Sequence, residues 1–215
     1  MTRQVASALH CYPMMHNVEI LAPTILEYWC VRCVLPHVHT SWSGVRLARW
    51  KGRRQGSIVI ICGLAGALVS DLPPGSILIP DRVGLADGRI MHCDPQLVQA
   101  LVAAAHSLHF RPIVEPLLTA QTPVVGVDRH RWSRRGFVAV DMETGLLAGQ
   151  NLRVATVRVV LDSPEHEISA DWLWPTRALL QPQLWHELFW LSRMAPCYAL
   201  RAAHVLEVGL GTIFV

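Results

Sequence analysis

The polarity pattern changes character along the chain. Through about residue 45, Pro, His, Cys and Met alternate without a sustained period; after Arg54 the pattern becomes regular. Ser57–Cys62 (SIVIIC) is β-branched and apolar at consecutive positions, which predicts a central strand covered on both faces. A glycine-bearing turn, Gly63–Leu68, follows it. Asp71–Gly75 (DLPPG) reads as a turn and Ser76–Pro80 as a second short strand. Asp94 followed by Pro95 reads as an N-cap and first helical position, opening a helix on which Leu97, Leu101 and Leu108 recur near helical spacing. Strands are predicted at Pro112–Thr119, Val138–Val140 and Arg153–Leu161, with a helix over Met142–Ala148. From Ser169 to about Val208 the pattern is helical and rich in Trp. Strands alternating with helices predict an α/β fold with a largely parallel sheet. No repeat or linker interrupts it, so the chain reads as one domain over residues 1–215. Residues 43–168 are its best-marked part and 169–215 form a C-terminal helical segment.

Composition narrows this. With 52% hydrophobic and 16% charged residues among 215, the chain is no candidate for intrinsic disorder. A mean hydropathy of +0.31 raises the question of a membrane span. The longest apolar run, Ile58–Val69, has 12 residues, against the roughly 20 that a spanning helix needs, so no transmembrane helix is expected. The first residues show no apolar stretch of the secretory-signal kind. The six cysteines are scattered, which points to a reducing compartment and a cytoplasmic protein. The net charge is +3, and Lys51 is the only lysine. That mild basicity suits an anionic partner without requiring one.

Three segments carry candidate chemistry. Cys62–Leu68 (CGLAGAL) ends a strand, where glycine lets the backbone approach a ligand or simply makes a tight turn. Ala139–Ala148 (AVDMETGLLA) places Asp141 and Glu143 at a strand-to-helix junction. A carboxylate there can accept hydrogen bonds from vicinal hydroxyls such as those of a ribose; equally, acids favour a helix N-terminus. Asp162 ends an apolar strand, the position at which open α/β sheets bind ligands. A partly desolvated Asp there can donate a proton, and an Asp before Ser-Pro is also ordinary turn chemistry.

In order and spacing these segments resemble the nucleoside phosphorylase/nucleosidase superfamily. They are most similar to methylthioadenosine/S-adenosylhomocysteine nucleosidases and to a branch associated with hopanoid synthesis. Gly63-Leu64-Ala65-Gly66-Ala67-Leu68 resembles the family's G-x-A-G-G-L, and the following Pro74–Ile79 resembles its G-D-I-V-I strand. Val140-Asp141-Met142-Glu143 through Ala148 resembles V-E-M-E-x-x-x-x-A, and Arg158 to Asp162 resembles R-x-x-S-D. Ser43–Ala48 is similar to the family's G-x-G-x-x-x-A. The resemblance implies a three-layer sandwich with a mixed, largely parallel central sheet flanked by helices. It implies cleavage of the N-glycosidic bond of a purine nucleoside or 5′-modified adenosine, without cofactor or metal, in a homodimer. Asp162 would protonate the departing base, Glu143 hold the ribose hydroxyls and Met142 pack on the sugar. Ala65 and Gly66 would approach the substrate, backbone near Val125 would read the base edge, and Arg158 would support the electrostatics.

The chain also departs from the pattern. Ile61 and Leu64 stand where phosphorylases carry anion-binding side chains, which favours hydrolysis over phosphorolysis. No Glu occupies the stretch Ala8–Tyr12, where nucleosidases carry a water-activating Glu. Glu19, Glu27 and His10 are the nearest substitutes, none in a matching context, and a catalytically impaired nucleoside-binding member is the alternative. Val124 cannot stack on a base as the family's aromatic does, and Leu161 replaces the Ser before the acid. Cys30-x-x-Cys33 with His37 and His39 lacks a familiar zinc spacing. Arg129, Arg131, Arg134 and Arg135 form a basic run that reads as a solvated loop, and no nucleic-acid partner is expected. The Trp-rich segment (Trp172, Trp174, Trp185, Trp190) is expected to pack on the core or a partner copy, with peripheral membrane contact as a further role.

Overall fold

A computed structural model describes residues 17–52, 55–173 and 175–213. Nine strands form one mixed sheet: β1 (Val18–Ala22), β2 (Thr40–Trp42), β3 (Ile58–Ala67), β4 (Ile77–Leu78), β5 (Arg82–Leu85), β6 (Ile90–His92), β7 (Leu117–Thr119), β8 (Ala139–Asp141) and β9 (Arg153–Asp162). The helices are α1 (Ile25–Val34), α2 (Pro95–Ser107), α3 (Val127–Ser133), the single turn α4 (Pro175–Ala178) and the long α5 (Trp185–Ile213). The main core lies between the sheet and α1, α2 and α5, built on Ile20, Ile60, Leu101, Val157 and Leu206. The other face buries Leu21, Val59, Ile61, Leu147 and Val154, packed against Leu47 and Trp50. A third cluster, Leu68, Leu118, Val124 and Val140, packs against Trp132 of α3 and Phe137. The α/β fold expected from the pattern, and the mixed sheet flanked by helices that the resemblance implied, are therefore present.

Several boundaries differ from the sequence expectation. The segment before residue 45 holds β1, α1 and β2. Helix α1 starts at a capping box: the Thr24 side chain accepts from the Glu27 amide, and the Glu27 carboxylate accepts from the Thr24 N–H. Strand β3 does not stop at Cys62 but runs through the glycines to Ala67. The expected helix at Met142–Ala148 is one 3-10 turn, Thr144–Leu147. The strand expected over Pro112–Thr119 is confined to Leu117–Thr119. The first half of the basic run, Arg129 and Arg131, lies on helix α3 and not in a loop, with Arg134 and Arg135 exposed just beyond it; Arg129 is 3% exposed.

The sheet changes partners at one place, and that place makes the site. A strand has two edges. Strand β9 runs parallel along one edge of β3 from Ile58 to Gly66. The other edge is shared: β1 pairs with residues Ile58 to Ile61, and β8 pairs antiparallel with Gly66 and Ala67. Between them, Cys62–Ala65 has no strand on that side. Side chains fill the gap. The Leu64 N–H donates to Glu27 Oε1 at 2.7 Å, and the Leu64 carbonyl accepts from Arg158 Nη1 at 3.3 Å. Buried backbone polar groups need such partners, and here charged side chains supply them.

Candidate active site

A cavity of about 300 Å³ opens over this gap, a volume at the lower end of small-molecule sites. Its walls come from four places: Leu64, Ala65 and Gly66 of β3; Pro23, Thr24 and Glu27 at the start of α1; Val140 to Glu143 at the end of β8; and Leu161 and Asp162 at the end of β9. Thr122 to Val125, Arg129, Ile168 to Ala170 and Trp172 close it. Of the residues singled out in the sequence, Ala65, Gly66, Val125, Met142, Glu143 and Asp162 line this one cavity. Arg158 lies behind the wall, fully buried.

Glycine at two positions is a packing requirement. A Cβ on Gly63 would collide with the Glu27 carboxylate, and one on Gly66 would stand 2.8 Å from Asp162 Oδ1. The GLAG stretch is thus neither a tight turn nor a loop. It is a strand without side chains where carboxylates must fit. A register shift between β3 and β9 at Ala65/Gly66 leaves Leu161 as an extra residue. Consecutive strand residues normally face opposite sides; with the bulge, both Leu161 and Asp162 border the cavity while Leu161 also packs against the main core.

The two acids of the DME segment have different fates. Asp141 accepts from Thr119 Oγ1 (2.5 Å), Arg158 Nη2 (2.5 Å), the Thr144 amide (3.1 Å) and the Thr144 hydroxyl. Its acceptor sites are filled, so it is a structural anchor. Among the described residues Glu143 receives two long bonds, from Arg158 Nη2 (3.3 Å) and the Arg46 amide (3.2 Å), and these leave capacity for a ligand's hydroxyls. Burial pushes the Glu143 carboxyl up to about 7; Arg158 opposes the rise, while Asp141 and Glu27 add to it. Arg158 is the counter-charge for this cluster, and its buried Nε has no partner among the described residues.

Of the three substitutes that the sequence offered for the water-activating Glu, Glu27 is the one that lines the cavity. Its Oε2 is held by the Thr24 amide and hydroxyl, both at 2.7 Å, and its Oε1 by the Leu64 amide. This fixes a buried carboxylate against the cavity. The T-x-x-E capping box was the available signal. Glu19 lies elsewhere, bonded to Ser41, Trp50 Nε1 and near His39. His10 lies outside the described residues.

At the other end of the cavity, Arg129 Nη2 donates to Asp162 Oδ2, Nη1 to the Ala67 carbonyl and Nε to Glu167 Oε1 at 2.9 Å. Glu167 also accepts from the Gly126 amide at 2.8 Å. Burial raises the Asp162 carboxyl above its usual range, and Arg129 works against that rise. Trp172 brings the aromatic face that Val124 cannot supply; its Nε1 donates to Glu187 Oε2 on α5 at 2.8 Å.

The sequence profile described as the phosphorylase superfamily matches residues 46–173. The chain belongs to the phosphorylase superfamily. Its fold is shared with solved structures of low identity. Futalosine hydrolase of Helicobacter pylori strain 26695 is 14% identical, with a TM-score of 0.68 over 91% of this chain and 97% of that one. The Neisseria meningitidis 5′-methylthioadenosine/S-adenosylhomocysteine nucleosidase, solved with methylthio-immucillin-A, is 16% identical, with a TM-score of 0.67 over 91% and 98%. The S-adenosylhomocysteine nucleosidase of Streptococcus pyogenes is 19% identical, with a TM-score of 0.67 over 92% and 97%. A search of curated protein sequences returned no match. The matched profile begins after α1, so Glu27 lies outside the matched segment and reaches the cavity through the fold.

The remaining sequence candidates separate cleanly. Cys30 is buried, Cys33 is exposed, and no group of metal-binding side chains occurs among the described residues. Ile61 belongs to the core, whereas Leu64 lines the cavity. Trp190 packs edge-on against Tyr198, while Trp185 is 58% exposed; Trp174 lies outside the described residues. No helix among the described residues is long and apolar enough to cross a membrane.

Proposed function

We propose that the protein hydrolyses the N-glycosidic bond of a purine nucleoside or 5′-modified adenosine. The observation that carries this is the convergence of Glu27, Glu143 and Asp162 on one cavity of about 300 Å³. Glu143, whose acceptor sites are under-filled, takes the ribose hydroxyls, and Met142 packs on the sugar. Asp162 faces the base and delivers a proton as the C1′–N bond breaks. Glu27 accepts a proton from the water that attacks C1′. The transition state is oxocarbenium-like, and the acidic wall of Glu27, Asp141 and Glu143 favours its positive charge. Hydrolysis is preferred to phosphorolysis because Arg129 is the only cation among the described lining residues, and its three nitrogens are already engaged.

Chromatography of reactions with adenosine, methylthioadenosine and inosine should show free base without added phosphate. A strict phosphate requirement with ribose 1-phosphate as product would instead establish a phosphorylase. Binding without turnover would establish a nucleoside-binding member. Asp162→Asn should lower the rate by about 10²–10⁴; a loss below about tenfold would remove Asp162 from the proton-transfer role. Two exposed apolar faces complete the proposal. Ile25 (48% exposed) and Trp29 (60%) share one face of α1 beside the cavity mouth, and we assign this face to a second copy of the chain. Leu180, Trp185 and Phe189, all exposed around the start of α5, are where peripheral membrane contact would occur. Light scattering of Trp29→Asp and co-sedimentation of Trp185→Ala with lipid vesicles test the two separately.

A further inference from the structure

We propose that Arg129 is a positioning residue for the glycosidic chemistry, holding Asp162 in place and receiving its charge once the proton has left. This rests on the hydrolase reading above and adds a residue to it that no motif marks.

The geometry is specific. Arg129 is 3% exposed, and each of its three side-chain nitrogens has its own acceptor: Asp162, the Ala67 carbonyl and Glu167. A guanidinium so fixed cannot follow a moving ligand and serves as a permanent counter-charge. Helix α3 brings it in. The helix opens at Gly126, whose φ is +52°, and Glu167 clamps both the Gly126 amide and Arg129 Nε. The ionisable groups around Asp162 are therefore Arg129 on α3 and Glu167 on the segment after β9; β3 contributes only backbone, at Gly66 and Ala67. The cavity's other charges are Glu27, Asp141 and Glu143, with Arg158 behind them.

The chemistry follows from burial. In the bond-breaking step the C1′–N electron pair passes to the base, and the proton on the Asp162 carboxyl moves to a base nitrogen. Water then supplies oxygen to C1′ and its proton to Glu27. The step leaves a carboxylate at position 162 in a poorly solvated pocket, where an isolated charge is costly. Without Arg129, burial alone would keep the proton on Asp162 and make it a weak acid. With Arg129, the charge produced by donation is neutralised on the spot. An adjacent opposite charge lowers a carboxyl pKa by about 1–3 units.

The test compares the wild type with Arg129→Met, Arg129→Gln and Arg129→Lys in two measurements. The first is NMR titration of the Asp162 carboxyl carbon, assigned with Asp162→Asn, which needs no turnover. The second is the pH profile of kcat/KM on whichever nucleoside is cleaved. The neutral variants should raise the Asp162 midpoint and move the alkaline limb up by about 1–3 pH units. They should also lower kcat by about tenfold or more on the acid side, with KM changed far less. Arg129→Lys should restore the limb. An Asp162 midpoint unmoved in both neutral variants overturns the inference, as does a rate loss with the limb in place. If the midpoint moves but no nucleoside is cleaved, the effect of Arg129 on Asp162 stands and the hydrolase reading falls. Arg129→Gln keeps two hydrogen-bonding groups, so the comparison survives if Arg129→Met does not fold.

Discussion

The two ends of the cavity solve one problem with different materials. At the sugar end, Arg158 of β9 stands between Asp141 and Glu143 of the β8 segment, with Glu27 close by. Three carboxylates share one cation, and its supports are strands. At the base end, Arg129 of α3 stands between Asp162 and Glu167. Two carboxylates share one cation there, and a seven-residue helix and a loop supply most of the support. The sugar end carries excess negative charge inside the sheet, which suits a site that must hold hydroxyls and face a cationic transition state. The base end is nearer balance and lies partly on connecting segments. Under the proposed hydrolase function, sugar recognition would be built into the fold, while base recognition would vary with the loops.

The comparison can be broken at several points, in descending order of effect. Arg158→Met removes the cation that bridges Asp141 and Glu143 and leaves buried charge uncompensated. It should destabilise the chain by about 3–5 kcal/mol, read as a fall in the urea midpoint, whereas Arg129→Met at the more open end should cost less. Glu27→Gln can complete the capping box with its one carbonyl oxygen, but its NH2 then faces the Leu64 N–H, so the proposed base and the acceptor for Leu64 are lost together. The rate should fall by about 10²–10⁴, and the melting temperature should drop as well, because a buried amide left without an acceptor costs about 1–3 kcal/mol.

Glu143→Gln tests the excess charge directly. Burial pushes the folded-state carboxyl up to about 7 from an ordinary 4.5. Between those values the folded chain holds a proton that the unfolded chain has lost, so stability falls as pH rises through the window and is level above it. The Gln variant should therefore be more stable than wild type at pH 8, on the order of 3 kcal/mol, with the gap closing toward pH 4.5. Urea unfolding at about pH 5 and pH 8 measures it. Smallest is Gly66→Ala, whose Cβ presses on Asp162 Oδ1; it should cost about 1–3 kcal/mol and leave ribose binding intact.

How much of this was legible in the sequence depended on whether the signal was local. Strands β3 and β9 are long apolar runs, and α2 has its Asp94 cap and Pro95, so each announces itself. Asp162 could be read because it ends such a strand, whereas the DME segment ends the three-residue β8 and stood out through its two closely spaced acids. β1 could not, because five buried residues that include Glu19 show no alternation. Glu27 was hidden for a different reason: its relation to Leu64 arises from the pairing of β1 with β3, across 37 residues. Arg129 is one arginine among four in a short stretch, and only the turn of α3 decides which of them points inward. The 3-10 turn after Met142 was missed because Thr144 bonds back to Asp141 and diverts the backbone from a regular helix.

The unpartnered stretch of β3 has one more consequence. The Leu64 amide is protected by a side chain instead of a neighbouring strand, so its exchange with deuterium depends on where the Glu27 carboxylate stands. In a strand whose other amides open only with the sheet, this single proton would keep its own clock, slowing or quickening as the carboxylate turns from the backbone toward a bound water.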